Sequence, residues 1–218
     1  MGTLVLALLL SSPLSQAECP LGAQALTSEL DASFEAYDAW EWDSFDARTA
    51  GLFEALSCLD AAATPEQAER IHLLSALCAA QAKDEDKAAD AFEAVLAVNP
   101  SYAPSQELAP QGSLLKEAYE HAQQDADTDT TPLPAGEWTL DGAGQAQAIP
   151  RGRLSLLQWQ DPTGPVRSWY LDTGPLPADL DELLTPTDQP PPPEPVAQVP
   201  DTSLPTAEIG RASGRERV

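Results

Sequence analysis

Positive charge is what this 218-residue chain has least of: 11 Lys and Arg stand against 35 Asp and Glu, for a formal charge of −24. Proteins that bind nucleic acid neutralise phosphates with clustered Lys and Arg, and adsorption to an anionic membrane draws on the same residues. The sign of the field excludes both. Long apolar runs are missing too: beyond residue 17 no stretch reaches the roughly 18 to 20 apolar residues that a membrane helix requires. Histidine is limited to His72 and His121. Neither has an acid, Ser or Cys at triad spacing or a helical His partner for a metal, so both read as surface or packing residues. The three cysteines, Cys19, Cys58 and Cys78, have no His or second Cys at ligand spacing, which removes a zinc site or an activated thiol. The expectation is a chain without catalytic residues and without a cofactor.

What is present starts with an export signal. Residues 1–17 hold an apolar run from Leu4 to Leu10, a Ser/Pro-rich stretch, and small residues at Ser15 and Ala17 where a signal peptidase cuts. No Lys or Arg precedes the run, and Glu18 before Cys19 is wrong for a lipoprotein. The mature protein is therefore expected outside the cytoplasm, in the periplasm or at the cell surface, where a disulfide can form. Cys58 and Cys78 flank a turn near Ala63 at unequal distances, which puts them roughly 15 Å apart along the helix axis, too far to bridge. Cys19 and Cys58 lie at the same end of an antiparallel helix pair turning near Glu41. The expected bridge is Cys19 to Cys58, worth about 3 to 4 kcal/mol, with Cys78 a small apolar residue of the core.

From Leu21 to about Ala126 apolar residues recur at helical period. Five helices are expected. The first runs over about 23–40 with Leu26, Leu30, Phe34 and Tyr37 on one face, and the second is capped by Ser44 and carries Phe45, Leu52, Phe53, Leu56 and Leu59. Thr64-Pro65-Glu66-Gln67 is a capping-box start with Pro at the first helical position. It opens a third helix that buries Ile71, Leu74, Leu77 and Cys78. Asp84 caps a fourth with Ala88, Ala91, Phe92 and Val95, stopped at Asn99-Pro100, and Ser113 opens a fifth with Leu115, Ala118, Tyr119 and Ala122.

The third and fourth helices resemble a tetratricopeptide repeat. With Pro100 as the closing proline, Ala76 and Ala88 fall on the small positions and Phe92 on the aromatic one. Such helices approach closely only where one face lacks bulk, and the Phe fills the wedge towards the next pair. His72, Ser75 and Ala79 depart from the pattern. The resemblance implies a packing role for Ala76, Ala88, Phe92 and Pro100, and a function in binding a peptide or protein.

After Asp125 the composition shifts to Pro, Gly, Trp and Leu, with short alternating runs at Glu137–Leu140, Leu154–Gln160 and Val166–Leu171. Asp161-Pro162-Thr163-Gly164 is a hairpin signal. Three strands are expected, and Gly136–Gly142 is similar to the opening of the small envelope β modules called PEGA domains. Asp125, Asp127 and Asp129 resemble the first half of a calcium loop, but Thr130 and Gly136 stand where the turn glycine and the bidentate Glu belong. A solvated acidic linker is the preferred reading. Trp138, Trp159, Trp169 and Tyr170 supply the apolar area of a thin unit, or form a platform that stacks on sugar rings.

Eight prolines between Pro186 and Pro205 deny helix and sheet. They make a semi-rigid spacer with a reach on the order of 60 Å at about 3.1 Å per residue. The last eleven residues, from Glu208, resemble a translated sequencing adapter with one departure at Gly214, which implies that the natural protein continues past Ala207. The expected order is a signal peptide over 1–17, a helical tetratricopeptide-like domain over 18–126, an acidic linker over 127–135, a β module over 136–184, a disordered proline-rich segment over 185–207 and an artefactual tail over 208–218. The fold class is mainly α: antiparallel helical hairpins followed by a small three-stranded antiparallel unit. The leading functional expectation is a non-catalytic scaffold of the cell envelope that binds a peptide or protein. The alternative is a cell-wall or carbohydrate-binding module that uses the Trp-bearing sheet.

Overall fold

Local start signals place the helices. In the computed structural model, which describes residues 21–124, 129–161 and 166–185, the Thr64 hydroxyl accepts from Gln67 N at 3.2 Å while the Gln67 side chain accepts from Thr64 N at 2.9 Å. This reciprocal pair satisfies two of the free N–H groups that every helix start exposes. It opens α3, which follows α1 (Ala23–Asp38) and α2 (Trp42–Ala55) and spans Pro65–Gln81. Asp84 caps α4 (Glu85–Val98) and Ser113 caps α5 (Leu114–Ala122), each through the backbone N–H three residues on. One expected cap is corrected. α2 starts at Trp42, two residues ahead of the Ser44 position, because α1 ends so tightly that the chain has already reversed.

That tight end is a Schellman motif. Trp40 N donates to Tyr37 O at 3.0 Å and Glu41 N to Ala36 O at 2.9 Å, which closes the last carbonyls of α1. Trp40 takes the left-handed conformation, φ 61°, at the position where glycine is usual. The end of α3 repeats the motif with Lys83 at φ 60°.

The helices pack in sequence order, α1 on α2 and α3, α3 on α4, α4 on α5. Ala76 and Ala88 are fully buried, and Phe92 fills the space towards Tyr102 and Tyr119, with ring centroids 6.4 and 5.6 Å away. At the other end Leu21 N donates to Cys58 O at 2.9 Å and Asp60 N to Leu21 O at 3.2 Å, so the chain ahead of α1 is tied to the chain leaving α2. Cys78 is a free, partly buried thiol, and Cys58 ends the short 3-10 turn that follows α2. Cys19, its expected partner, lies outside the described residues, as do the segments assigned to the signal peptide, to the proline-rich spacer beyond Thr185 and to the tail.

The β part holds more elements than its three strong runs. β1 (Thr130–Pro132) pairs with β4 (Ala148–Pro150) as a separate ribbon, and β2 (Glu137–Leu140), β3 (Ala143–Gly144), β5 (Ser155–Gln160) and β6 (Val166–Leu171) form an antiparallel sheet in the order β3-β2-β5-β6. A short helix, α6 (Ala178–Leu184), follows. The three expected strands are in place, but the stretch expected to be an acidic linker contains β1, and β3, β4 and α6 were not anticipated. Two- and three-residue strands show no period to read. β3 arises from a two-residue turn: Leu140 pairs with Ala143, and Asp141 and Gly142 between them have φ 52° and 76°, the paired positive values of a type I′ hairpin. The turn expected between β5 and β6 lies outside the described residues, although Gln160 and Val166 on either side of it are paired.

The sheet has two covered faces. Leu156, Gln158 and Tyr170 point towards the helices, and Leu154 and Leu156 belong to the helical core. Trp138, Leu157, Trp169 and Leu171 point the other way, into a second core closed by Ile149 of the ribbon and Leu180 of α6. Helices, sheet and covering elements up to Thr185 form one compact unit.

Gly142 sits where the hairpin tip meets the start of α3, and a Cβ there would collide with the backbone of Thr64 and Pro65. Its φ is also one that L side chains resist. Gly142→Ala is expected to cost at least about 2 kcal/mol, read as a lower urea midpoint with an unchanged m-value.

Candidate functional site

Two places carry side chains that core packing alone does not explain. The first is a groove at the α1–α2 turn. Trp40 is 74% exposed and Trp42 37%, and these are the exposed large apolar residues among the described part of the chain. The groove, with a volume of about 720 Å³, runs between that turn and the 105–110 loop, over Phe34, Tyr37 and Leu73. Its aromatic rings stand nearly at right angles: Trp40 to Trp42 at 5.4 Å and 85°, Tyr37 to Trp42 at 5.7 Å and 81°. The opposite wall is rooted by Ser105, whose hydroxyl accepts from Leu108 N at 3.1 Å. Asp38 and Glu107 also line the groove, which contains no Lys or Arg. Burial, with the neighbouring Asp38 charge adding to it, pushes the Tyr37 phenol above its ordinary range. In sequence, Trp40 and Trp42 fall at the end of the first expected helix, where helical period assigns them no role.

The second place is a buried polar cluster between α3 and the sheet. His72 has no exposure. Its Nε2 is 2.9 Å from Asp141 Oδ1 and its Nδ1 is 3.2 Å from the Tyr170 hydroxyl. Nε2–H donates to the Asp141 carboxylate and Nδ1 meets the Tyr170 hydroxyl, so both ring nitrogens have a partner. Asp141 also receives Arg153 Nη1 at 2.8 Å and Leu156 N at 2.7 Å. Burial alone would raise the Asp141 carboxyl, but the His72 hydrogen bond, the His72 and Arg153 charges and the Leu156 N–H outweigh it and hold the group below the usual carboxylate range. Burial lifts the Tyr170 hydroxyl well above the usual tyrosine range. The reading of His72 as a residue without an acidic neighbour is thereby corrected: its partner lies 69 positions away in sequence. Gln158 adds a second tie. Its Oε1 accepts from Ala63 N at 2.7 Å, and its Nε2 donates to Ser168 Oγ at 2.9 Å.

Two of the three tryptophans of the sheet are buried, and Trp159 is half-buried with the Arg167 guanidinium 5.5 Å from its ring centroid. Trp138 is 3% exposed and Trp169 7%, Trp138 packs against Trp159 at 5.9 Å and Trp169 at 6.3 Å, and Trp169 Nε1 donates to Asp179 of α6 at 2.8 Å. Tyr170 lies on the opposite face. A cleft of about 840 Å³ runs along Trp138, bordered by Gln145, Gln147 and Gln160. Asp125 and Asp127 lie outside the described residues, and Asp129 is exposed, with its carbonyl accepting from Arg151 N at 2.7 Å. Among the described residues no cluster of His, Cys, Asp and Glu is arranged to hold a metal ion, and no helix is long and apolar enough to cross a membrane. No family model matches this chain, and comparison with curated proteins and solved structures found no match.

Asp141→Asn leaves the half-buried Arg153 and the buried His72 beside a neutral amide. The expected cost is about 3 to 5 kcal/mol at neutral pH, measured by urea unfolding. The sign of the pH effect follows from the lowered carboxyl. The unfolded chain takes up the proton before the folded one, so the stabilisation is present above the ordinary carboxylate range and is lost as pH falls through and below it. The gap in stability between wild type and variant should narrow on acidification towards about pH 3.

Proposed function

We propose that this chain is a non-catalytic interaction protein of the bacterial cell envelope, whose tetratricopeptide-like helices bind a peptide or protein segment in the groove at the α1–α2 turn. The observation that carries the reading is Trp40. A bulky, largely exposed indole sits on a left-handed backbone position that costs a non-glycine residue about 1 to 2 kcal/mol. The fold gains little from it in return, since its ring touches mainly Trp42. Strain held at an exposed aromatic is a reason to look for a ligand there. The burial of Ala76 and Ala88 where α3 meets α4 supports the tetratricopeptide-like reading, and the apolar run of residues 4–10 supports export. The carbohydrate alternative needs an open ring face. What the sheet offers it is the cleft along Trp138.

Trp40→Gly separates function from folding. Relief of the left-handed strain exceeds the lost edge contact, worth about 0.5 to 1 kcal/mol, so the variant's Tm should rise by about 2 to 4 °C. Peptides selected from a displayed random library against the wild type should lose at least tenfold in affinity for the variant. Selected peptides indifferent to Trp40, or a library that yields none, would remove the reading. Retention of both proteins on insoluble peptidoglycan would favour the carbohydrate alternative.

Export and the tie between Leu21 and Cys58 also support the Cys19 to Cys58 bridge. Peptide mapping without reductant should recover the two cysteines in one linked fragment and Cys78 as a free thiol. Reduction should lower stability by about 3 to 4 kcal/mol.

A further inference from the structure

We infer that the groove is selective for a basic segment, which lays an arginine or lysine side chain along the exposed indole of Trp40 with its charge facing Asp38 and Glu107. This rests on the peptide-binding reading and adds the chemistry of the occupant. Rings meeting edge to face near 85° and 81° at 5.4 and 5.7 Å hold one another in place, and the largely exposed Trp40 indole lines the groove. The negative face of an exposed ring attracts a cation, and indole does so best. The lining holds two carboxylates and no base, and a chain charge of −24 draws cationic segments towards it and repels anionic ones. At the edge of the same groove the protein already makes this contact with its own side chain: the Arg70 guanidinium lies 5.1 Å from the centroid of Phe34 while its Nη2 donates to Asp31 at 2.7 Å. The groove beyond it offers more aromatic surface, comparable acidity and no internal cation. A guanidinium suits it better than an ammonium because its plane stacks on a ring while its edge donates to a carboxylate.

The test is calorimetric titration of the purified chain with a nonapeptide of alternating Arg, Ala and Pro, beside the same peptide with every Arg replaced by citrulline, which keeps the shape and removes the charge. The Arg peptide should bind at least tenfold more tightly than the citrulline peptide. Trp40→Gly, which is expected to fold at least as well as wild type, should abolish that preference, and Asp38→Asn combined with Glu107→Gln should reduce it several-fold. Equal, Trp40-dependent binding of both peptides overturns the cation selectivity and leaves the peptide-binding groove standing. Arg-peptide binding that Trp40→Gly does not change is charge attraction to the surface at large and overturns the inference. No binding of either peptide overturns it as well, while the library selection decides separately whether the groove takes peptides at all.

Discussion

An ionised carboxylate can sit in a protein interior only if nearby charges and donors replace the water it loses, and Asp141 is the group around which this fold meets that condition. Its two oxygens receive a backbone N–H from β5, a guanidinium from the chain just before β5 and an imidazole from α3. Each partner comes from a different part of the chain, so satisfying one side chain fixes the hairpin tip, the central strand and the longest helix relative to one another. The tip can supply the carboxylate only because Gly142, next to it, lets the turn lie against the Thr64–Pro65 backbone. The capping box that starts α3 and the turn that carries Asp141 are therefore two sides of one contact.

This junction explains why about 50 residues of β structure need not stand alone. A sheet that small cannot bury enough apolar surface on one face to be stable. Here it is covered on both. The helix side takes Leu156 and the polar ties of Gln158 and Tyr170, and the far side takes the three tryptophans with α6 and the ribbon laid over them. Tryptophan-rich composition in a thin β segment is then the signature of a second core, and the ring faces that a sugar would need are largely occupied by other rings.

The parts legible in the sequence were those set by neighbours in sequence. Thr64 with Gln67, Asp84 and Ser113 act over three residues, and helical period marks Leu26, Ile71, Phe92 and Tyr119 as buried or nearly so without knowledge of what covers them. Ser44 misled because the end of α1 is set by a Schellman closure through Trp40, where no glycine announces it. Asp141-Gly142 was readable as a type I′ turn, and that reading would have supplied β3. The cluster it belongs to was not readable. His72 and Asp141 are 69 residues apart, and nothing in the local pattern of either implies the other. α6 escaped notice because seven residues around Leu180 hold too few turns to display a period.

The groove follows from the same division between local and distant constraints. Trp40 is exposed because the Schellman closure places it between the two helices, where its ring meets Trp42 at the start of α2, and it is available because the junction that holds the molecule together lies elsewhere, on α3 and the sheet. A position whose occupant the fold does not require can carry a residue that costs stability. At Lys83, a second left-handed helix end, a flexible charged side chain is exposed to solvent. At Trp40 the side chain is rigid, amphipathic and set at right angles to a second indole. Ordering a rigid side chain with two rotatable bonds against a ligand loses little entropy, so in the proposed reading the turn presents its rings in place before a partner arrives.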